Sequence, residues 1–221
     1  MTYAEIKTKV QAVTGRSNTE FADLILDWTN DVIRTICSKR NWWFLRTETP
    51  VTFVKDDEDY TLPTDYKDDY SLFINYGDNY YLLELKSHLD VLRGTDASTK
   101  GRPERWYLKG TTEYIVRPIP DKEYTGTMVY YRKFAEFVGT GNEDNWLTIN
   151  APDLVLAGIL VEAYLYLQEE DRAGIQSQKF NERIKVLKRE HVDRVIAQDE
   201  TLIPKTGSLA STFEQRKDGA F

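Results

Sequence analysis

Apolar residues recur at helical spacing near both ends of this 221-residue chain, and at every second position through its middle. Thr2 with Glu5 and Ser17 with Glu20 read as two capping boxes, each placing a side-chain acceptor and a first-turn carboxylate at a helix start. The first predicted helix carries Ile6, Val10 and Val13 on one side and stops at Gly15, which tolerates left-handed geometry. The second runs from about Thr19 to Lys39, with Phe21, Leu24, Ile25, Trp28, Val32, Ile33 and Ile36 along one face.

From Thr47 the period changes to two. Val51 and Phe53 alternate with polar residues, "KDDED" reads as a turn, and Tyr60 with Leu62 resumes the alternation, which predicts a hairpin. Ser71–Tyr76, Tyr80–Leu85, Arg105–Lys109, Glu113–Arg117 and Thr127–Lys133 are further predicted strands, and an antiparallel sheet system fits them. Ser87 and Asp90 repeat the capping pattern and predict a short helix over Ser87–Leu92.

Past the polar loop "GTGNEDN", Asn150, Pro152 and Asp153 supply a cap, a first-turn proline and an acid matched to the helix dipole. They predict a helix over about Pro152–Glu169. A second follows from about Ala173 to Gln198, with Phe180, Ile184, Leu187, His191 and Val195 as its buried stripe. Leu154 to Leu167 is apolar on nearly every side, yet too short for a bilayer, which takes roughly 20 apolar residues, and Glu162 interrupts it. No membrane span is expected. Such a helix must be central, sealed by the other helices, or covered on its outer side, with Tyr164 and Tyr166, by another copy.

The fold class that emerges is α+β: a helical bundle of N- and C-terminal helices around an inserted antiparallel β-sandwich or barrel-like domain, with an extended C-terminal arm. The boundaries are 1–46 and 141–198 for the helical halves, 47–140 for the β domain and 199–221 for the arm. The arm holds few apolar anchors (Leu202, Ile203, Leu209, Phe213 and Phe221), so it should be mobile alone in water and order on a partner.

Composition narrows the function. With 41% hydrophobic and 13% aromatic residues the chain can build a core, while a net charge of −7 argues against whole-surface affinity for nucleic acid. The single cysteine, Cys37, excludes a disulfide within the chain and reads as a small buried hydrophobe suited to a reducing compartment. "MTYAEIKTKVQAV" lacks the apolar run of a secretory signal, which favours the cytoplasm.

Candidate chemistry is sparse. His88 and His191 stand in no metal or nucleophile spacing, and "GTG" at 139–141 lacks the strand and helix of a phosphate loop. "KDDED" and "YKDDY" lack the spacing of a calcium loop. No catalytic residue, metal or cofactor is expected. Trp42 and Trp43, with Phe44, read as the junction of the helical and β parts. The sharper alternative is a stacking platform for single-stranded nucleic acid, charged by Arg34, Lys39, Arg40 and Arg46. A wall-degrading hydrolase would need a paired-carboxylate cleft, and no motif singles out two acids.

The ordered series "YTLPTDY" (60–66), "GRPERWYL" (101–108), "VRPIPD" (116–121) and "MVYYRK" (128–133), followed by Trp146, Leu147, Pro152, Asp153, Leu154, Leu156, Gly158, Leu160, Glu162, Ala163, Tyr164 and Leu165, resembles the head-to-tail adaptors of tailed bacteriophages. These include the tail tubular protein A type. The likeness covers roughly the second helix to Val195. Ala157 departs from it, standing where a larger residue is expected, and the segment after Gln198 matches nothing in it.

The resemblance implies a virion protein of the neck, assembled in the host cytoplasm. Its subunits would form a ring of about twelve copies that joins the portal protein to the tail or nozzle and extends the channel for double-stranded DNA. It implies no enzymatic activity. On this reading Leu202, Ile203, Leu209, Phe213 and Phe221 form a portal-docking arm, and Tyr164, Tyr166, Trp42 and Trp43 serve the subunit interface.

Overall fold

A computed structural model describes residues 1–77, 79–87 and 99–202, with side chains described as far as Val195. Helix α1 (Tyr3–Thr14) starts on the expected capping box. The Glu5 carboxylate accepts from Thr2 N at 3.0 Å, the Thr2 hydroxyl accepts from Glu5 N at 3.4 Å, and Gly15 closes the helix at φ 67°. Ile6 and Val10 are wholly buried. Val13, expected beside them, is exposed in the last turn, where the helix face has turned away from the core.

Helix α2 (Thr19–Ser38) buries Phe21, Ile25, Val32, Ile33 and Ile36 as its spacing predicts, with Leu24 and Trp28 half-buried. Its N-cap is Asn18 with no side-chain bond, so the Ser17–Glu20 box does not form: Ser17 stands one residue too early. A 3-10 turn (Trp43–Leu45) leads into the sheet.

Nine strands are described: β1 (Arg46–Phe53), β2 (Asp59–Thr61), β3 (Tyr66–Tyr76), β4 (Asn79–Leu85), β5 (Lys100–Gly101), β6 (Arg105–Lys109), β7 (Glu113–Arg117), β8 (Ile119–Pro120) and β9 (Tyr124–Arg132). Seven form one sheet in the order β1-β9-β3-β4-β6-β7-β2, and β5 with β8 makes a separate pair. Two expectations are corrected here. The 51–62 region is not a hairpin, because β1 pairs with β9 and β2 with β7. The sheet is not wholly antiparallel either, since β4–β6 and β5–β8 run parallel.

One side of the sheet encloses a core of Phe53, Leu72, Ile74, Leu83, Trp106, Tyr114, Val116 and Met128, drawn from β1, β3, β4, β6, β7 and β9, so the sheet curls around it. Gly126 of β9 permits that curl: a Cβ there would lie 2.3 Å from the Phe73 carbonyl oxygen and 2.7 Å from the Phe53 ring.

The short helix expected over Ser87–Leu92 lies, past Ser87, outside the described residues. Three helices follow β9: α3 (Trp146–Asn150), α4 (Pro152–Tyr166) and α5 (Glu170–Leu202). Asn145 caps α3 reciprocally with Thr148, at 2.9 and 3.0 Å. Asn150, expected to cap α4, instead ends α3 and donates to the Trp146 carbonyl, so α4 starts from Ala151 with Pro152 and Asp153 in its first turn. A turn at Gln168 (φ 61°) divides α4 from α5, which runs past the expected end at Gln198.

Helix α4 packs against α1, α2 and α5. Leu154, Val155, Ile159, Leu160 and Ala163 sit in a second core shared with α1, α2 and α5, which explains a helix that is apolar all round. Ile184, Leu187 and His191 form the buried stripe of α5, with Phe180 and Val195 half-buried at its margins.

Candidate functional site

Three places stand out from the packed interior: the junction of helices and sheet, the outer end of the helices, and the far rim of the sheet. At the junction the last carbonyls of α2 take partners from beyond the helix, beginning with the Lys39 N–H on the Ile36 carbonyl at 3.3 Å. The Trp42 indole donates to the Ile36 carbonyl at 2.8 Å, and the Lys67 ammonium, at the start of β3, donates to the Cys37 and Arg40 carbonyls at 2.8 and 2.9 Å. The start of β3, inside the sheet, is thereby held against the end of α2. Burial depresses the Lys67 amine below its ordinary range.

The link leaving β9 is fixed as firmly. The buried Asn30 amide donates to the Phe137 carbonyl at 3.0 Å and accepts from the Phe137 N–H at 2.9 Å. Glu143 then accepts from the N–H groups of Val138, Gly139 and Thr140 at 2.8, 3.0 and 3.1 Å. Desolvation works to raise that carboxyl, but the three N–H groups outweigh it and hold it below the usual range. The "GTG" stretch therefore wraps a side chain of its own chain.

Trp42 is wholly buried. Trp43 is covered by His191 stacked at 5.7 Å, Trp146 edge-on at 5.1 Å and the Arg194 guanidinium at 5.0 Å. Phe44 stacks on Trp146 at 4.3 Å. The two tryptophans thus build the junction and offer no open stacking platform. Burial, aided by Arg40, holds His191 below its ordinary range, so its imidazole is neutral at neutral pH.

A cleft of about 760 Å³ opens beside the junction, bordered by Phe44, Trp146, Asp65, Lys133 and Glu143. Cys37 reaches its wall, but burial pushes the thiol up to about 11, so the thiolate needed of a nucleophile is scarce. Among the described residues no three His, Cys, Asp or Glu side chains converge as metal ligands, and no helix is long and apolar enough to cross a membrane.

At the outer end of the helices Tyr166 is 56% exposed and leans on Phe21 and Trp28 at 6.0 and 5.8 Å, whereas Tyr164 is buried under Arg172. Of the expected interface residues only Tyr166, and Trp43 in part, reaches the surface of the chain. Leu202 ends α5. Ile203, Leu209, Phe213 and Phe221, like His88, lie outside the described residues.

No sequence motif brings the far rim of the sheet together. There Tyr76, Tyr81 and Tyr124 meet, with Arg102 4.4 Å over Tyr81 and Lys122 5.0 Å over Tyr76. These residues come from four separate segments, which no local pattern joins.

Compared with known protein families, residues 1–201 match the model described as the SU10 adaptor protein. The chain belongs to the SU10 adaptor family. That makes it a structural adaptor of bacteriophages and a virion component, in a family that is not one of enzymes and whose members associate with the portal or tail. No curated protein matches the chain. Family membership accords with the adaptor resemblance read from the motif series, while the likeness to the tail tubular protein A type stays a resemblance.

Proposed function

We propose that this SU10-family chain is the head-to-tail adaptor of its phage: a subunit of a ring of about twelve copies that joins the portal to the tail or nozzle and extends the DNA channel. The observation that carries this reading is the family match over residues 1–201. Consistent with it, the aromatic residues of the junction are spent on rigidity, which suits a part that transmits load between two assemblies.

On this reading the helical parts (1–46 and 141–198) make lateral contacts through Tyr166 and the exposed edge of Trp43, with Tyr164 and Trp42 supporting them from behind. The β part (47–140) meets the tail side. The arm (199–221) docks on the portal through Leu202, Ile203, Leu209, Phe213 and Phe221 after assembly in the host cytoplasm. A net charge of −7 lets double-stranded DNA slide past without sequence-specific binding. The test is to produce virus particles lacking this chain. Filled heads without tails are expected, and tailed infectious particles would refute the role.

A further inference from the structure

We propose that the far rim of the curled sheet is the surface that grips the tail-side protein, and that it takes a patch in which carboxylates stand among apolar groups. This rests on the adaptor reading above. Strand β3 begins beside the junction, where Lys67 is tied to α2, and Tyr76 lies nine residues further on, about 30 Å along the strand at roughly 3.3 Å per residue. The rim therefore lies at the end of β3 opposite the junction with the helices.

Its chemistry is that of a protein-binding patch. Tyr76 and Tyr81 are exposed at the rim itself, and on the opposite face of β4 beside it Tyr80 is 74% and Leu82 63% exposed, so the rim can be gripped from both faces. Tyrosine and arginine are the side chains enriched in the energetic centres of interfaces, because they bring large apolar area with a polar end at low entropic cost. Tyr76 is already ordered by Tyr81, Tyr124, Arg102 and Lys122, so little freedom remains to lose on binding.

The cations decide the partner's sign. Lys122 lies over Tyr76 and Tyr124 and makes no ion pair among the described residues. Arg102 lies over Tyr76 and Tyr81, and its one described ion pair, to Glu104, is long at 3.7 Å and only partly buried. The nearby Asp121 carboxylate accepts from the Tyr124 hydroxyl at 2.7 Å. Cations fixed over aromatic rings in a chain of net charge −7 favour incoming carboxylates.

The test uses the full chain, the portal ring and the tail-side protein of the same virus, with binding to each measured separately. The double variants Lys122→Glu/Arg102→Glu and Tyr80→Ser/Leu82→Ser should each weaken association with the tail-side protein by roughly tenfold or more and leave portal association unchanged. Lys122→Arg should bind as the parent does, and added salt should weaken the parent's tail association. Unchanged tail binding by both double variants would overturn the rim assignment while leaving the adaptor role standing. So would equal loss of both associations, or loss only of self-association. Failure of the parent chain to bind either partner would overturn the adaptor reading itself.

Discussion

Gly158 of α4 lies so close to Val32 of α2 that a Cβ on the glycine would stand 2.6 Å from Val32 Cγ1, with the Phe180 ring of α5 at 3.1 Å. Three helices thus meet over one missing side chain. This contact seats the largely apolar α4 between its neighbours, in the core that buries Leu154, Val155, Ile159, Leu160 and Ala163.

Gly158→Ala is expected to destabilise the chain by about 1–3 kcal/mol through overpacking, and Val32→Ala in the same background should recover part of that loss. Gly126→Ala should cost more, because its Cβ would meet the Phe73 backbone oxygen, which cannot swing aside as the Val32 methyl can. Denaturant midpoints of the four proteins would show this order or refute it.

Asn30→Leu would leave the buried Phe137 N–H and C=O without partners, at roughly 1–3 kcal/mol for each group. Its expected signature is loss of order in the 134–143 link before the sheet itself unfolds. Hydrogen exchange read residue by residue would reveal that sequence of events, and uniform loosening of both cores would contradict it.

The His191 imidazole is held below its unfolded value, near 6.5, so the unfolded chain takes up its proton first. Its contribution is complete above about pH 6.5 and is lost as pH falls through that value toward the folded one. Glu143, also lowered, acts only below roughly pH 4.3. Between pH 8 and 5 the parent should lose more stability than His191→Phe does. Parallel curves for the two proteins would show that His191 carries none of the dependence.

Helix faces and some local caps were legible in the sequence, whereas long-range strand pairings were not. The α1 capping box and Gly15 are decided within a few residues, and so they could be read directly. By contrast, Val51–Phe53 and Tyr60–Leu62 each have strand periodicity, but their partners, Gly126–Tyr124 and Tyr114–Glu113 with their neighbours, lie far along the chain. A hairpin was the nearest pairing available to a local reading. The Asn145 capping box is closed by Thr148 in place of the usual Glu or Gln, so it lacks the sequence signature of such a box. Among the candidate sites, the Trp42–Trp43 junction could be found because aromatic residues cluster in sequence there, whereas the Tyr76–Arg102–Lys122 rim exists only once the sheet has curled.

The most direct measurement is native mass spectrometry of the full chain mixed with the portal ring of the same virus, beside a chain ending at Leu202. Saturation at about twelve copies, lost or much weakened when residues 203–221 are removed, is the expected result. A full chain that leaves the portal ring at its own mass would contradict the adaptor role, and a shortened chain that saturates equally would contradict the docking arm.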